Sequence, residues 1–568
     1  MSSGPRLVWY LLFDSADGQP CKGTSADKVS VGPDADVADF RKKVYKENSS
    51  ILTGITSSQL VVYKNKDAFD KRNAADNTKK DPLEEDALIN DYGGSKKDAL
   101  IVVVPWISSS EGNVHEPSAK RRSAAHFEQT HFVEVLKEQI PAPSSFARYN
   151  EKRGWVNFLK NNPNKLICHR DCSEEPSVPV CLLNPIFNSF VHDLNHIHIS
   201  SKDCQFVAEL TERMCGAFIN ERERRDTFID LFEEYTQMRL GPVTRNNSTT
   251  DGSLTFTNGA LYCNLEVNVE KCGGNGDPYM QSIAYYILNL PTSSNNIQYP
   301  CFLLELCGTA FSVSGILNTD KHVICDPLSP TFQLYHNQEI GMLQQITKLF
   351  AALVKSLMSL GQPLQKENQN ILQSLSSFPF LSSFCDMDTK EEFMIQYQQK
   401  IKCLLFSARR LDSDKEVIVK FCSRYNNEVH LYCHDCGFAP RLISCSAQGN
   451  YIVVVMEKLN LSRLTDDHLS TSEIIQQLDT ISSRLEEKQF VHGDLRDCNV
   501  HFDTENNKVV VVDFDWAGRN GVDLYPPFMN PKIEWPDGAS TGEKMYHVHD
   551  VYWLNRLLRR ESHSIDPK

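Results

Sequence analysis

Two segments near the C-terminal end constrain this chain more than any others: the polar loop FVHGDLRDCNVHF at 490–502 and the valine run KVVVVDF at 508–514. The valines read as an apolar strand that ends in Asp513. In the loop, Asp494 and Asn499 stand five apart, a spacing at which one side chain accepts a hydroxyl proton while the other ligates a metal. Asp513, fourteen residues past Asn499, is placed as the second, bridging ligand. Oxygen ligands of this kind suit Mg²⁺, which keeps several waters and takes few protein carboxylates.

Upstream, IKCLLFSA and KEVIVKFC read as neighbouring strands, the second carrying Lys420. Glu428 lies in a short helix, YNNEVHLYCHDCG, where its carboxylate either pairs with Lys420 or stays an exposed helical charge. YIVVVMEKL at 451–459 reads as a further strand. Ser470 and Glu473 form an S-x-x-E capping box that starts a helix with Ile474, Ile475, Leu478, Ile481 and Leu485 on one face.

In this order the segments resemble the protein-kinase-like fold over roughly residues 395–560, with HGDLRDCN for the catalytic loop and DFD for the metal-binding DFG. The resemblance implies a compact bilobal domain over 385–568 that uses ATP and Mg²⁺. Asp494 would be its base, with Arg496 on the transferred phosphate. Lys420 and Glu428 would serve the nucleotide phosphates, Met456 and Glu457 the adenine, and Asn499 and Asp513 the metal. Three departures stand out. No glycine occurs between Gly361 and Gly437, so the Gly-rich phosphate cover is missing; Gly493 replaces the arginine of HRD; and the C-terminal lobe must be small, with His549 and Asp550 marking a helix that supports the loop.

At 568 residues the chain needs about two to four domains. No apolar run approaches the roughly 18 residues of a membrane span. A net charge of −14 argues against a chain that coats nucleic acid along its whole surface, while leaving room for one basic face. Eighteen scattered cysteines suit reduced thiols rather than a disulfide scaffold. The seven-residue LVWYLLF runs into Asp14 with no cleavage site and reads as a first strand, not a signal peptide.

Strands at 6–13, 27–31, LVVYK and ALIVVVP, with a helix at 37–48, follow the order of a ubiquitin-like β-grasp module over 1–106, suited to contact or delivery. A Ser-rich linker follows at 107–125, in which Lys120, Arg121 and Arg122 read either as a nuclear-import signal or as solvated charge. Residues 126–365 alternate helices and strands as a mixed α/β domain. There Asp251 precedes a strand that turns Glu266 and Asn268 to one face, and Gln281 and Tyr285 share a helix face. Two converging carboxylates would hold Mg²⁺ for phosphodiester hydrolysis. The pattern resembles the PD-(D/E)xK restriction-endonuclease-like fold, with Asn268 at the lysine position and Lys271 as a substitute on the opposite strand face; the alternatives are nucleic-acid or partner binding, or a plain β-hairpin. The HRD inside CHRDC at 168–172 lacks a following Asn and is assigned no chemistry, and Cys433 and Cys436 with His430 and His434 read as packing rather than a zinc site.

The whole order, a multidomain α+β and α/β chain, resembles a crinkler (CRN) effector of filamentous pathogens and symbionts. That implies secretion, delivery into a host cell, in many cases to its nucleus, and action there on host protein substrates. The LFLAK-like element of such effectors reads here at best as WYLLFD. The leading expectation is an ATP-dependent serine/threonine-type phosphotransferase able to label its own chain. The alternatives are a protein that binds or cuts nucleic acid through the middle domain, with the kinase-like lobe as a scaffold, and a catalytically silent interaction protein.

Overall fold

The computed structural model describes residues 6–14, 26–48, 52, 57, 60–71, 82–84, 87–89, 92–104, 132–148, 154–170, 177–270, 276–291, 297–336, 339–361 and 375–559. Lys120, Arg121, Arg122, Asp171 and Lys271 lie outside them. The chain divides into two units, 1–117 and 118–568.

In the first unit β1 (Arg6–Asp14) and β2 (Asp27–Val31) pair antiparallel, α1 spans Val37–Glu47, and β3 (Val61–Tyr63) and β4 (Leu100–Val104) complete a sheet of order β2-β1-β4-β3. β1 and β4 run parallel. Alternation puts Val8, Tyr10 and Leu12 of β1 on the face that buries Val37, Phe40 and Val44 of α1. Asp36 caps α1 by accepting the Asp39 N–H.

The second unit opens with a mixed seven-stranded sheet. Its main path runs through β5 (Leu166–Ile167), β6 (Gly252–Thr255), β7 (Leu261–Asn268), β8 (Cys301–Cys307), β9 (Ala310–Asn318) and β10 (Val323–Pro327), in the order β5-β10-β9-β8-β7-β6. β7 and β8 are parallel neighbours. One face packs on α2 (Pro185–His196), α3 (Ser201–Met214), α4 (Glu221–Thr236) and α6 (Ile340–Gly361). The other packs on α5 (Pro278–Asn289).

A six-stranded sheet follows, built from β11 (Ser383–Cys385), β12 (Glu392–Lys402), β13 (Leu405–Arg410), β14 (Glu416–Cys422), β15 (Leu442–Gln448) and β16 (Tyr451–Glu457), with α7 (Asn427–Asp435) between β14 and β15. Beyond it come α8 (Ser472–Glu487), the hairpin β17 (Val500–Asp503) and β18 (Lys508–Val511), and α9 (His547–Leu557). β14 has two different faces. Val417, Val419 and Phe421 join Phe187, Phe302 and Phe350 in one hydrophobic core, so residues on both sides of the boundary expected near 385 are packed together. Ile418, Lys420 and Cys422 alternate to the opposite side, toward α7.

One helix start differs from expectation. Ser470 closes the short helix Asp466–Leu469 and donates to the Asp467 carbonyl, so it does not cap the next helix; Thr471 is the N-cap of α8 and makes no side-chain cap bond. Of the apolar face read for α8, Ile474, Leu478, Ile481 and Leu485 are buried, while Ile475 is only half-buried.

Candidate active site

The loop between β-strand Phe490–Val491 and β17 is fixed from below by α9. Fully buried Asp550 accepts the backbone N–H groups of His492 at 2.6 Å and Gly493 at 3.0 Å. Gly493 has φ +80°, and a Cβ there would meet the Trp516 carbonyl oxygen at 3.1 Å and the Met545 sulfur at 3.0 Å, so glycine is required. His492 is buried; desolvation lowers its pKa, and its Nε2 reaches the Val512 carbonyl at 3.2 Å.

Asp494 sits at the loop's turn. Arg496 grips both carboxylate oxygens, with its Nη2 2.8 Å from Oδ2, and lies over the Trp535 ring at 5.1 Å. The Asn499 amide nitrogen donates to the Asp494 carbonyl at 2.8 Å and to its Oδ2 at 2.9 Å. The Val512 N–H donates to the Asn499 carbonyl at 3.0 Å, which ties the loop to the strand that carries Asp513.

Asp513, Phe514 and Asp515 follow. Asp513 has φ +73°. Phe514 is buried, stacked on His430 with centroids 4.5 Å apart, and anchors the two acids on either side of it. Both carboxylates reach one ammonium: Lys420 Nζ is 2.6 Å from Asp513 Oδ1 and 2.6 Å from Asp515 Oδ1. Burial pulls the Lys420 pKa down, and the two acids outweigh it and raise it. Burial also disfavours the charged forms of the acids, yet Lys420 holds Asp513 below the ordinary carboxylate range, while Asp515, facing Asp513 as well, is pushed up to about 6.

One expected role is corrected. Glu428 does not pair with Lys420: it lies in the exposed first turn of α7 and binds Arg519 at 3.1 Å. The Glu457 N–H donates to the Arg441 carbonyl at 3.0 Å and the Glu457 carboxylate accepts the Arg441 N–H at 2.8 Å. The Met456 side chain is buried beside Leu442 and Val454. In place of a Gly-rich cover, β12 and β13 are joined by a tight turn at Cys403–Leu404, Leu404 having φ +61°, and the Cys403 thiol lies 3.6 Å from the Ser177 carbonyl. Asp515 was not singled out by sequence reasoning, although its signal, an acid where DFG has glycine, stands in the letters DFD.

The Asp513 carboxylate and the Asn499 amide oxygen are donor types that fit Mg²⁺ shared with phosphate groups. Among the described residues no three His, Cys, Asp or Glu side chains are arranged to hold a metal. His430 has both ring nitrogens occupied, by the Tyr425 hydroxyl at 2.6 Å and the Pro440 carbonyl at 2.8 Å, which leaves it unavailable to zinc.

In the middle segment the structure brings Asp251, Glu266, Gln281 and Tyr285 together, and adds Glu221 of α4. Burial raises the pKa of Glu266 well above its ordinary value and also raises those of Asp251 and Glu221, with the acids reinforcing one another. Tyr285 donates to the Thr249 carbonyl at 2.6 Å and is bonded by Gln281. The carboxylates are already satisfied from within: Asp251 Oδ2 accepts the Val267 N–H at 2.9 Å and its Oδ1 faces Arg225 at 3.6 Å, while Glu266 accepts from the Asn264 amide at 3.2 Å and from the Asp251 backbone. Asn268, at the end of β7, supplies no cation. Asp251 and Glu266 thus converge as expected, with Arg225 and backbone and amide N–H groups as their partners. His169 of CHRDC binds Asp326 at 2.8 Å.

No helix among the described residues is long and apolar enough to cross a membrane. No protein-family model matches the chain, and no curated protein matches it. Among solved structures it is similar to the Cydia pomonella granulovirus kinase PK-1, at 15% identity over 29% of this chain and 67% of that one, with a TM-score of 0.23. It is also similar to vaccinia related kinase 3, at 15% identity over 33% of this chain and 68% of that one, with a TM-score of 0.24.

Proposed function

We propose that the C-terminal segment is an ATP-dependent phosphotransferase of the serine/threonine protein-kinase-like kind. The observation that carries this reading is Lys420, part-buried between Asp513 and Asp515 at 2.6 Å from each. Withdrawing three charges from water costs more than such a cluster returns in stability, so its presence points to chemistry. Lys420 would bind nucleotide phosphates, and a Mg²⁺ on Asp513 and the Asn499 Oδ1 would offset their charge. Asp494 would accept the proton of the attacking hydroxyl once Arg496 releases one of its oxygens, which frees the guanidinium for the transferred phosphate.

Incubation with radiolabelled ATP tests this. Wild type labels itself or a generic protein substrate, and Asp494→Ala lowers the rate by about 10²-fold or more. Equal labelling in both, or none in either, overturns the assignment.

We read the whole chain as a crinkler-like effector. Support comes from the N-terminal sheet with one helix on its face, set ahead of the larger unit in the chain. Secretion and entry into a host cell, and its nucleus, are tested by following a tagged protein from producer to host; retention in the producer refutes the reading. For the middle segment we expect no metal-dependent plasmid nicking, and nicking that disappears in Glu266→Ala would reverse that view.

A further inference from the structure

We propose that Asp515, rather than Glu428, is the positioning residue that holds Lys420 at the nucleotide phosphates. This rests on the phosphotransferase reading above and adds a role to that site. A lysine that reaches phosphates needs a fixed anion behind it, because its four-carbon stem is flexible. Glu428 cannot serve in this structure: its side chain is 57% exposed and is held by Arg519. Asp515 is 2.6 Å from Lys420 Nζ.

Its position is set by packing on several sides. Phe514, its neighbour, has His430, Tyr425 and His492 around its ring. Asn426, the N-cap of α7, donates its backbone N–H to the Phe514 carbonyl at 3.2 Å and its side-chain amide to the Ala517 carbonyl at 3.2 Å. The segment bearing both acids is thereby clamped to the start of α7, the helix whose own glutamate points elsewhere. The two acids are not equivalent. The Asp513 side chain is 42% exposed, whereas that of Asp515 is 25% exposed. When Asp513 serves the metal, Asp515 remains the anion on Lys420. An ammonium has three N–H donors, so at least one stays free for phosphate.

The test is steady-state kinetics in Mg·ATP on the full chain, with thermal unfolding to verify the fold of each variant. Asp515→Asn is expected to raise the KM for ATP about tenfold or more, the loss of a charged hydrogen bond, and to lower kcat by a smaller factor. Asp515→Glu recovers part of the KM, and Glu428→Gln changes neither constant by more than about twofold. In a Lys420→Met background, Asp515→Asn adds less than about twofold, because a residue that acts through Lys420 has nothing left to position. If Asp515→Asn fails to fold, Asp515→Ser takes its place.

A tenfold loss in Glu428→Gln with none in Asp515→Asn overturns the inference. So does a raised Mg²⁺ requirement in Lys420→Met/Asp515→Asn relative to Lys420→Met alone, which would make Asp515 a direct metal ligand. Wild type without Asp494-dependent labelling removes the phosphotransferase reading itself; an active wild type with an unchanged Asp515→Asn removes only this inference.

Discussion

Glu305 shows how a single carboxyl reports its surroundings. It stands on β8 opposite Glu266 in the parallel register, and hydroxyls of Ser312 and Ser314 donate to it at 3.2 and 3.1 Å. Burial pushes its pKa up to about 7, against an ordinary value of 4.5. Folding therefore favours the protonated form. That contribution is complete below the ordinary carboxyl range and is lost as pH rises through about 7. Wild type should lose more stability between pH 5 and pH 8 than Glu305→Gln does, by about 1–2 kcal/mol. Denaturant titrations at the two pH values measure it, and identical slopes would contradict it. Asp494→Ala and Asp515→Asn belong to the same scale, since each removes one named contact in the cleft.

At the scale of elements, α9 acts on the site without touching it. Asp550 accepts two N–H groups of the loop that carries Asp494. Asp550→Ala leaves both donors buried and unpaired, for a destabilisation of about 2–5 kcal/mol, with loss of labelling. Full activity at unchanged stability would show that the loop holds its own shape. This support was legible in the sequence, as were the strand under Lys420 and the Asp494–Asn499 pair, because local spacing and apolar runs specify them. Glu428 was misread because sequence gives a helix but not the direction its first turn faces once Arg519 is close. Ser470 was misread because the short helix Asp466–Leu469, which Thr465 caps, lies directly ahead of it. Asp515 and Glu221 were missed because their partners lie 95 residues away at Lys420 and beyond the whole of α4 at Asp251, contacts that only the fold creates.

At the scale of the whole molecule, the core that joins Phe187, Phe302 and Phe350 to Phe406, Phe421 and Val453 decides what can be separated. A fragment starting at 385 would expose Phe406, Val419 and Phe421 together, an apolar patch of the kind that drives aggregation. Such a fragment is expected to be insoluble or to bind a hydrophobic dye, whereas 118–568 stays folded; a soluble, cooperatively unfolding 385–568 would refute this. Cys263 is buried in this core and Cys301 and Cys325 in the one on the other face of the seven-stranded sheet, all three with pKa values raised by burial.

β14 alternates between that core and the cleft, with Val419 and Phe421 on one side and Lys420 on the other. Inheritance follows from this arrangement. A recombination event that joined the last 184 residues of this chain, 385–568, to a foreign partner would strip one side of β14 and take the support from under Lys420. The two segments are expected to travel through lineages as a pair, exchanged together or not at all.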